Sequence, residues 1–302
     1  MKKEIQGRKI VTDTAVAYGQ SKNTGLYALA AAVNTLWAEG VTDISVKASV
    51  CVPPYVYKSR RNGMMKLLQE TCQEYGICLE EEEGLTAAVV TVPEVIVTGT
   101  GITEEGSKEG SRPEILPGWG IVQTGWLGMS GMLQAAEERK QELSGWFSPS
   151  FMKQILSYQK ELFAKSVLEA AGLLKTKEGG KVSFVRQIGS GGILAALWNL
   201  SKETKLGLDM NMKAFSILQE TVEVCEYFRL NPYQLSSVGS FLMVSEDAEG
   251  LAEQILAAGG KANVIGSLTD SHDKLIHNGE EIRYLDRPAP DELWKIYQTD
   301  PV

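Results

Sequence analysis

Apolar positions recur along the chain in two rhythms, every second residue and every third or fourth, and the two alternate from end to end. Residues 8–17 read as a strand. Between 23 and 39, Leu26, Leu29, Ala30, Val33, Leu36 and Trp37 fall on one helical face, and Gly40 stands where a helix commonly ends. Ile44, Val46, Ala48, Val50 and Val52 then alternate with Ser45, Lys47, Ser49 and Cys51, which is a strand with two unlike faces stopped by Pro53-Pro54. A second helix is expected over 60–75, followed by strands over 85–91 and 95–99. Further on, 121–124 reads as a strand leading to a helix that ends near Arg139. Ser148-Pro149 caps a helix carrying Ile155, Tyr158, Leu162, Phe163, Val167 and Leu168 on one side. Strand 182–185, helix 192–201, amphipathic helix 213–228, strand 241–244, helix 250–258 and strand 262–265 follow. A hairpin then joins 274–276 to 282–284 across Asn278-Gly279. The pattern is that of two mixed α/β units in tandem, without repeats at solenoid spacing.

The clearest interruption is 104–113, Glu-Glu-Gly-Ser-Lys-Glu-Gly-Ser-Arg-Pro, which holds no apolar residue. A domain boundary is placed there, giving domains 1–112 and 113–302; the alternative is a long hairpin loop. A length of 302 residues allows two full cores. An apolar content of 43% and 23% charged residues describe an ordinary globular chain. The formal net charge of −8, with no basic run, argues against a nucleic-acid partner. No apolar run is long enough for a membrane span, and Met1-Lys2-Lys3-Glu4 has no apolar stretch behind it to make a signal peptide. Cys51, Cys72, Cys78 and Cys225 are too scattered for structural zinc and read as buried free thiols of a cytoplasmic protein. His272 and His277 are the only histidines, which makes a histidine-based site improbable.

In the second unit an ordered series of short motifs carries a resemblance. It begins with Gly191-Gly192-Ile193-Leu194-Ala195-Ala196-Leu197-Trp198 and continues through Leu206-Gly207-Leu208-Asp209, Glu220-Thr221-Val222-Glu223-Val224-Cys225 and Asn231-Pro232-Tyr233-Gln234-Leu235. Ser237-Val238-Gly239-Ser240, Val264-Ile265-Gly266 and the late Pro290-Asp291-Glu292-Leu293-Trp294 complete it. The series resembles the C-terminal domain shared by aminoimidazole ribonucleotide (AIR) synthase, thiamine-monophosphate kinase, selenophosphate synthetase and the hydrogenase-maturation carbamoyl dehydratases. The first unit resembles the same superfamily through Thr12-Asp13, Asn23-Thr24-Gly25, Asn34 and Val97-Thr98-Gly99-Thr100-Gly101. The resemblance implies an α+β, mixed α/β two-domain fold, with an N-terminal sheet domain that dimerises and a C-terminal α/β domain. It also implies ATP bound between the two and, in most members, phosphoryl transfer to a substrate oxygen. Such transfer rests on positioning and on charge neutralisation by carboxylate-held Mg²⁺ and backbone N–H groups.

Against that implied site the present residues are sparse. A glycine-bearing arm and a first strand ending in acids are expected ahead of Thr12-Asp13, and this sequence holds neither. Asp13 matches the family's Thr-Asp pair and is a candidate metal ligand. Asn34-Thr35 stands for Asn-Asp, so the acid has become threonine, and Glu81-Glu82-Glu83-Gly84 stands at the Gly-Gly-Asp/His-Thr loop. In the second unit Arg186-Gln187-Ile188-Gly189-Ser190-Gly191-Gly192 replaces His-Asp-x-Thr-Glu-Gly-Gly, leaving only the glycines. The terminal cysteine of the carbamoyl dehydratases has no counterpart. Candidate cofactor-binding residues are therefore Asp13, Asn34, Gly99, Gly101, Gly191 and Gly192, and candidate metal ligands are Asp13, Glu81 and Glu83. Each has a plainer reading: a turn aspartate, a solvated acidic loop over Glu80–Glu83, and glycines serving tight packing. Trp119, Trp126, Trp146 and Trp198 are expected in the core and interface, and Arg186 is read as an exposed strand-end residue in preference to a phosphate holder. The functional expectation is a divergent, non-catalytic or altered-function homodimer that binds a small ligand or a maturation partner; a further reading is a subunit that lends its sheet to a hetero-dimer with a complete paralogue. The alternative is an ATP/Mg²⁺-dependent synthase- or kinase-like enzyme with a rebuilt site, acting on a small-molecule or carbamoyl/amide oxygen.

Overall fold

The computed structural model describes residues 2–5, 8–104, 114–174 and 182–298. Nearly all of the expected break, 105–113, and the chain end at Asp300-Pro301-Val302 lie outside the described residues. Contacts divide the chain into two units, Met1–Ser107 and Lys108–Val302.

The first unit comprises β1 (Lys2–Ile5), β2 (Arg8–Tyr18), α1 (Thr24–Ala38), β3 (Ile44–Val52), α2 (Lys58–Tyr75), β4 (Cys78–Thr86) and β5 (Glu94–Glu104). Its sheet has the order β1-β2-β5-β3-β4, and only the β3–β4 pair is parallel. The alternation read in β3 holds: Ile44, Val46, Ala48, Val50 and Val52 are buried beside Val95 and Val97 of β5. Helix α1 is buried almost throughout, not on one face only. Its Ala/Leu/Val composition leaves no polar stripe, as a helix covered on all sides requires. Helix α2 buries only Met64, Leu68, Thr71 and Cys72, one narrow face of an otherwise charged helix. The glutamate run needs correction: it is neither a loop nor the prelude to a strand at 85–91. Glu80–Glu83 lie within β4, an edge strand held in parallel register by β3, where charged side chains discourage further strand pairing.

The second unit holds β6 (Gly120–Thr124), α3 (Met129–Glu138), α4 (Lys140–Trp146), α5 (Pro149–Ser157), α6 (Lys165–Ala170), β7 (Phe184–Gln187) and α7 (Gly192–Thr204). It continues with β8 (Gly207–Asn211), α8 (Gln219–Phe228), β9 (Phe241–Ser245), α9 (Ala248–Ala257), β10 (Ala262–Thr269), β11 (Lys274–Asn278), β12 (Glu281–Tyr284) and α10 (Trp294–Tyr297). The seven strands run in the order β12-β11-β8-β10-β6-β9-β7. Ile121, Leu242, Val244, Ile265 and Leu268 of the sheet pack with Ile193, Leu197 and Leu200 of α7 in one core.

Several expected elements differ. The helix capped by Ser148, whose Oγ accepts from the Phe151 N–H at 3.2 Å, does not run on to Leu168. It passes into a 3-10 turn at Tyr158–Leu162 and restarts as α6. The helix expected over 213–228 begins only at Gln219. The extended stretch before it hands Ser216 to the wholly buried Gln123, whose side-chain amide donates to the Ser216 carbonyl (3.2 Å) and accepts from its N–H (2.9 Å). Strand β8, quoted above only as a motif, carries the sheet between β10 and β11. Trp146 is 71% exposed, against the expectation that it packs the core, while Trp119 is buried. Cys72 and Cys225 are buried as expected, but Cys78 is exposed.

Candidate functional site

In the first unit the register sets the site's geometry. Asp13 of β2 lies opposite Gly99 of β5, and Val11 lies opposite Gly101. Opposed residues share a face, and on this face the two glycines admit the helix side. A Cβ on Gly99 would come within 2.7 Å of Leu36 Cδ1, and one on Gly101 within 2.1 Å of Val41 Cγ1. Both glycines therefore serve the close approach of α1 and the chain after it to the sheet. The same approach places Asp13 against α1, where its carboxylate shares a hydrogen bond with Thr35. Burial pushes the Asp13 carboxyl above its ordinary value, and the Thr35 hydrogen bond only partly opposes this. The Thr35 hydroxyl, at the position where the implied site has an acid, also lies 3.0 Å from the Ala31 carbonyl, so that carbonyl and Asp13 compete for its one proton. Asn34 is wholly buried inside the unit.

Glu81 and Glu83 stand elsewhere. They share a face of β4 with each other, and their β3 partners in register are Lys47 and Ser49, on the side of the sheet away from the buried Val46, Ala48 and Val50. Lys47 Nζ lies 3.0 Å from Glu81 Oε2, so that carboxylate already has a cation. Asp13 lies on the opposite face, and strands β5 and β3 separate β2 from β4. Three strand spacings amount to about 14 Å. The expected metal set of Asp13, Glu81 and Glu83 is therefore not brought together. Among the described residues no group of three or more His, Cys, Asp or Glu side chains converges as a metal site would.

In the second unit Gly191 and Gly192 form the turn into α7 and both adopt left-handed backbone, with φ of 79° and 63°. A Cβ on Gly192 would meet the Tyr233 carbonyl oxygen at 2.5 Å and that of Leu235 at 2.9 Å, so this glycine packs the helix start onto 233–235. The N–H of Gly191 is taken: it donates to Asp291 Oδ2 at 2.9 Å. Asp291 Oδ1 accepts further from Leu293 N (2.9 Å) and Ser236 N (3.3 Å), and the residue is only 7% exposed. A buried carboxylate of the chain itself thus stands at the helix N-terminus, where backbone N–H groups and the helix dipole favour an anion. Of the residues before the glycines, Arg186 is half-exposed and paired with Glu203. Asp291 is quoted above within the 290–294 motif but was not named as a site residue. The local sign of its bonding is an aspartate two residues ahead of Leu293 at a helix start, the spacing of an Asx turn.

A family model, described as the C-terminal domain of AIR synthase related protein, matches residues 117–278, more than half the chain. The chain belongs to the AIR synthase-related family. Solved structures agree on the fold. The hydrogenase-maturation protein HypE of E. coli superposes with a TM-score of 0.76 at 15% identity, covering 95% of this chain and 88% of that one. A hydrogenase-maturation protein HypE in complex with ATP gives 0.73 at 15%, covering 97% and 88%. Thiamine monophosphate kinase from Aquifex aeolicus gives 0.66 at 15%, covering 89% of each. No curated protein matches the chain. The mixed α/β fold is thus that of AIR synthase-like proteins. Among the described residues no helix is long and apolar enough to cross a membrane.

Proposed function

We propose that this protein is a divergent member of the AIR synthase-related family that has lost the family's phosphoryl-transfer chemistry and acts as a ligand- or partner-binding homodimer. The observation that carries the reading is the setting of Asp13, half-enclosed against α1 with a threonine hydroxyl where a second acid would share a metal. A Mg²⁺ ion beside phosphates draws on carboxylates that face it together. Of the β4 glutamates, Glu81 and Glu83 lie on the other side of the sheet, and Glu82, on the side of Asp13, stands three strands away and accepts from Gln69 of α2 at 2.7 Å. Capture of the Gly191 N–H by Asp291 points the same way.

Dimerisation is supported by the sheet face of the first unit that bears Glu81. Val16, Leu85 and Ile102 are 43%, 41% and 53% exposed there, beside a Thr14–Thr98 hydroxyl pair at 2.9 Å. Four free cysteines suit a cytoplasmic setting. The alternative reading, an ATP/Mg²⁺-dependent enzyme, is favoured by the HypE structure in complex with ATP, which aligns with 97% of this chain. Phosphate release from ATP and Mg²⁺ separates the two. The proposal expects wild type and Asp13→Ala to release phosphate at the same background rate, and turnover by wild type lost in Asp13→Ala would establish the enzyme. Native mass measurement should give twice the 33.0 kDa chain mass, and a monomer would remove the dimer from the account.

A further inference from the structure

Helix α7 carries Trp198 and Lys202 one turn apart on the same face and is capped at its C-terminus by Lys205. Against this face come His272 and Lys274 from the start of the hairpin, and Arg287 from the segment after β12; together they line an open cleft of about 740 Å³. Every ionisable side chain lining it is lysine, arginine or histidine, in a chain whose formal net charge is −8. Lysine and arginine account for 30 of 302 residues overall, yet for four of the eight that line the cleft. Asp270, Asp273 and Asp286 are close in sequence, but none is among the lining residues. Lys202, Lys205 and Arg287 make no ion pair with another described residue. Lys274 places Nζ 5.0 Å from the centre of the Trp198 ring and donates to the His272 carbonyl at 3.2 Å.

The plainest explanation is a helix C-terminus attracting cations to its dipole. That accounts for Lys202 and Lys205. It does not account for Lys274 and Arg287, which other segments bring to the same concavity against the repulsion of like charges. A cleft lined by one sign of charge focuses its field and concentrates counter-ions, and its volume suits a small ligand. We propose that it is a binding site for a small multivalent oxyanion, bearing phosphate or carboxylate groups, with Trp198 and Lys274 as its floor and Lys202, Lys205 and Arg287 as its charged rim. The site lies within the second unit and is independent of Asp13 and of the family's ATP chemistry.

Calorimetric titration of the full chain at low ionic strength, with inorganic pyrophosphate and citrate as separate probes, tests this. Saturable one-to-one binding of at least one probe is expected, weakening as salt is added. Pyrophosphate binding tighter assigns a phosphorylated ligand, citrate binding tighter a polycarboxylate. Lys202→Glu/Arg287→Glu, both exposed positions, should bind about tenfold more weakly or worse, with an unchanged circular dichroism spectrum. Lys66→Glu/Lys153→Glu, also exposed, makes the same change in net charge away from the cleft and should bind as wild type. Neither probe saturating, or both double variants losing affinity by the same factor, would overturn the proposal.

Discussion

Replacing Asp291 by alanine removes the acceptor of three backbone N–H groups. Gly191 and Ser236 are buried, whereas Leu293 is partly exposed and can hydrate. Each buried donor left without a partner costs about 1–3 kcal/mol. The Gly191 bond, at 2.9 Å to a buried carboxylate, belongs at the upper end and the 3.3 Å Ser236 bond at the lower. The loss therefore comes to about 3–4 kcal/mol for Asp291→Ala. In a unit of this size 1 kcal/mol shifts Tm by about 2–4 °C, so a fall of roughly 10 °C is expected. Asp291→Asn keeps one oxygen for Ser236 and Leu293 but turns an amide toward Gly191, and should lose about half as much. Differential scanning calorimetry of the three proteins measures this, and added acetate should recover part of the loss in Asp291→Ala alone, by refilling the vacated anion position. If Asp291→Ala melts within about 2 °C of wild type, this carboxylate does not hold the start of α7.

Asp13 gives a pH dependence of definite sign. Burial raises its pKa in the folded state, so the native protein binds the proton more tightly than the unfolded chain, and stability falls as pH rises from 3.8 through the native value. Asp13→Asn should remove that decline and melt higher at neutral pH; parallel melting curves for the two proteins would contradict it. Burial pushes the Cys72 thiol up to about 11 and Cys225 up to about 12, while Cys78 is exposed. A thiol reagent at about pH 8 should therefore label Cys78 first, Cys51 more slowly, and the other two only on unfolding; mass mapping of the labelled peptides checks the order. Gly192→Ala should destabilise by about 2–4 kcal/mol through left-handed strain and the clash with Tyr233. Gly63→Ala, in the exposed interior of α2 with nothing within 4 Å, should stabilise by about 0.5–1 kcal/mol. Denaturant titration of both variants reads the contrast.

Where side-chain pattern and tertiary environment agree, the elements were legible: β3 and α2 carry in their residue types the faces that they bury. The failures share one cause. Strand β4 has four glutamates and little strand preference, and its conformation comes from pairing with β3. The segment ahead of α8 has helical periodicity, but a distant glutamine, Gln123, draws Ser216 into an extended path. At the candidate site, Gly191 and Gly192 were legible because left-handed backbone selects glycine. What those glycines face was not, since Asp291 stands 100 residues away and nothing local links the two. The basic cleft is invisible for the same reason, its cations coming from α7, the hairpin and the chain after β12.

On the proposed reading Asp13 is a packing residue and not part of a nucleotide–metal site. Calorimetric titration of the full chain with ATP and Mg²⁺, repeated on Asp13→Ala, tests it most directly. Asp13→Ala is expected to leave unchanged whatever weak nucleotide binding the chain retains. Micromolar, Mg²⁺-dependent ATP binding abolished by Asp13→Ala would contradict it and restore the family's chemistry to this protein.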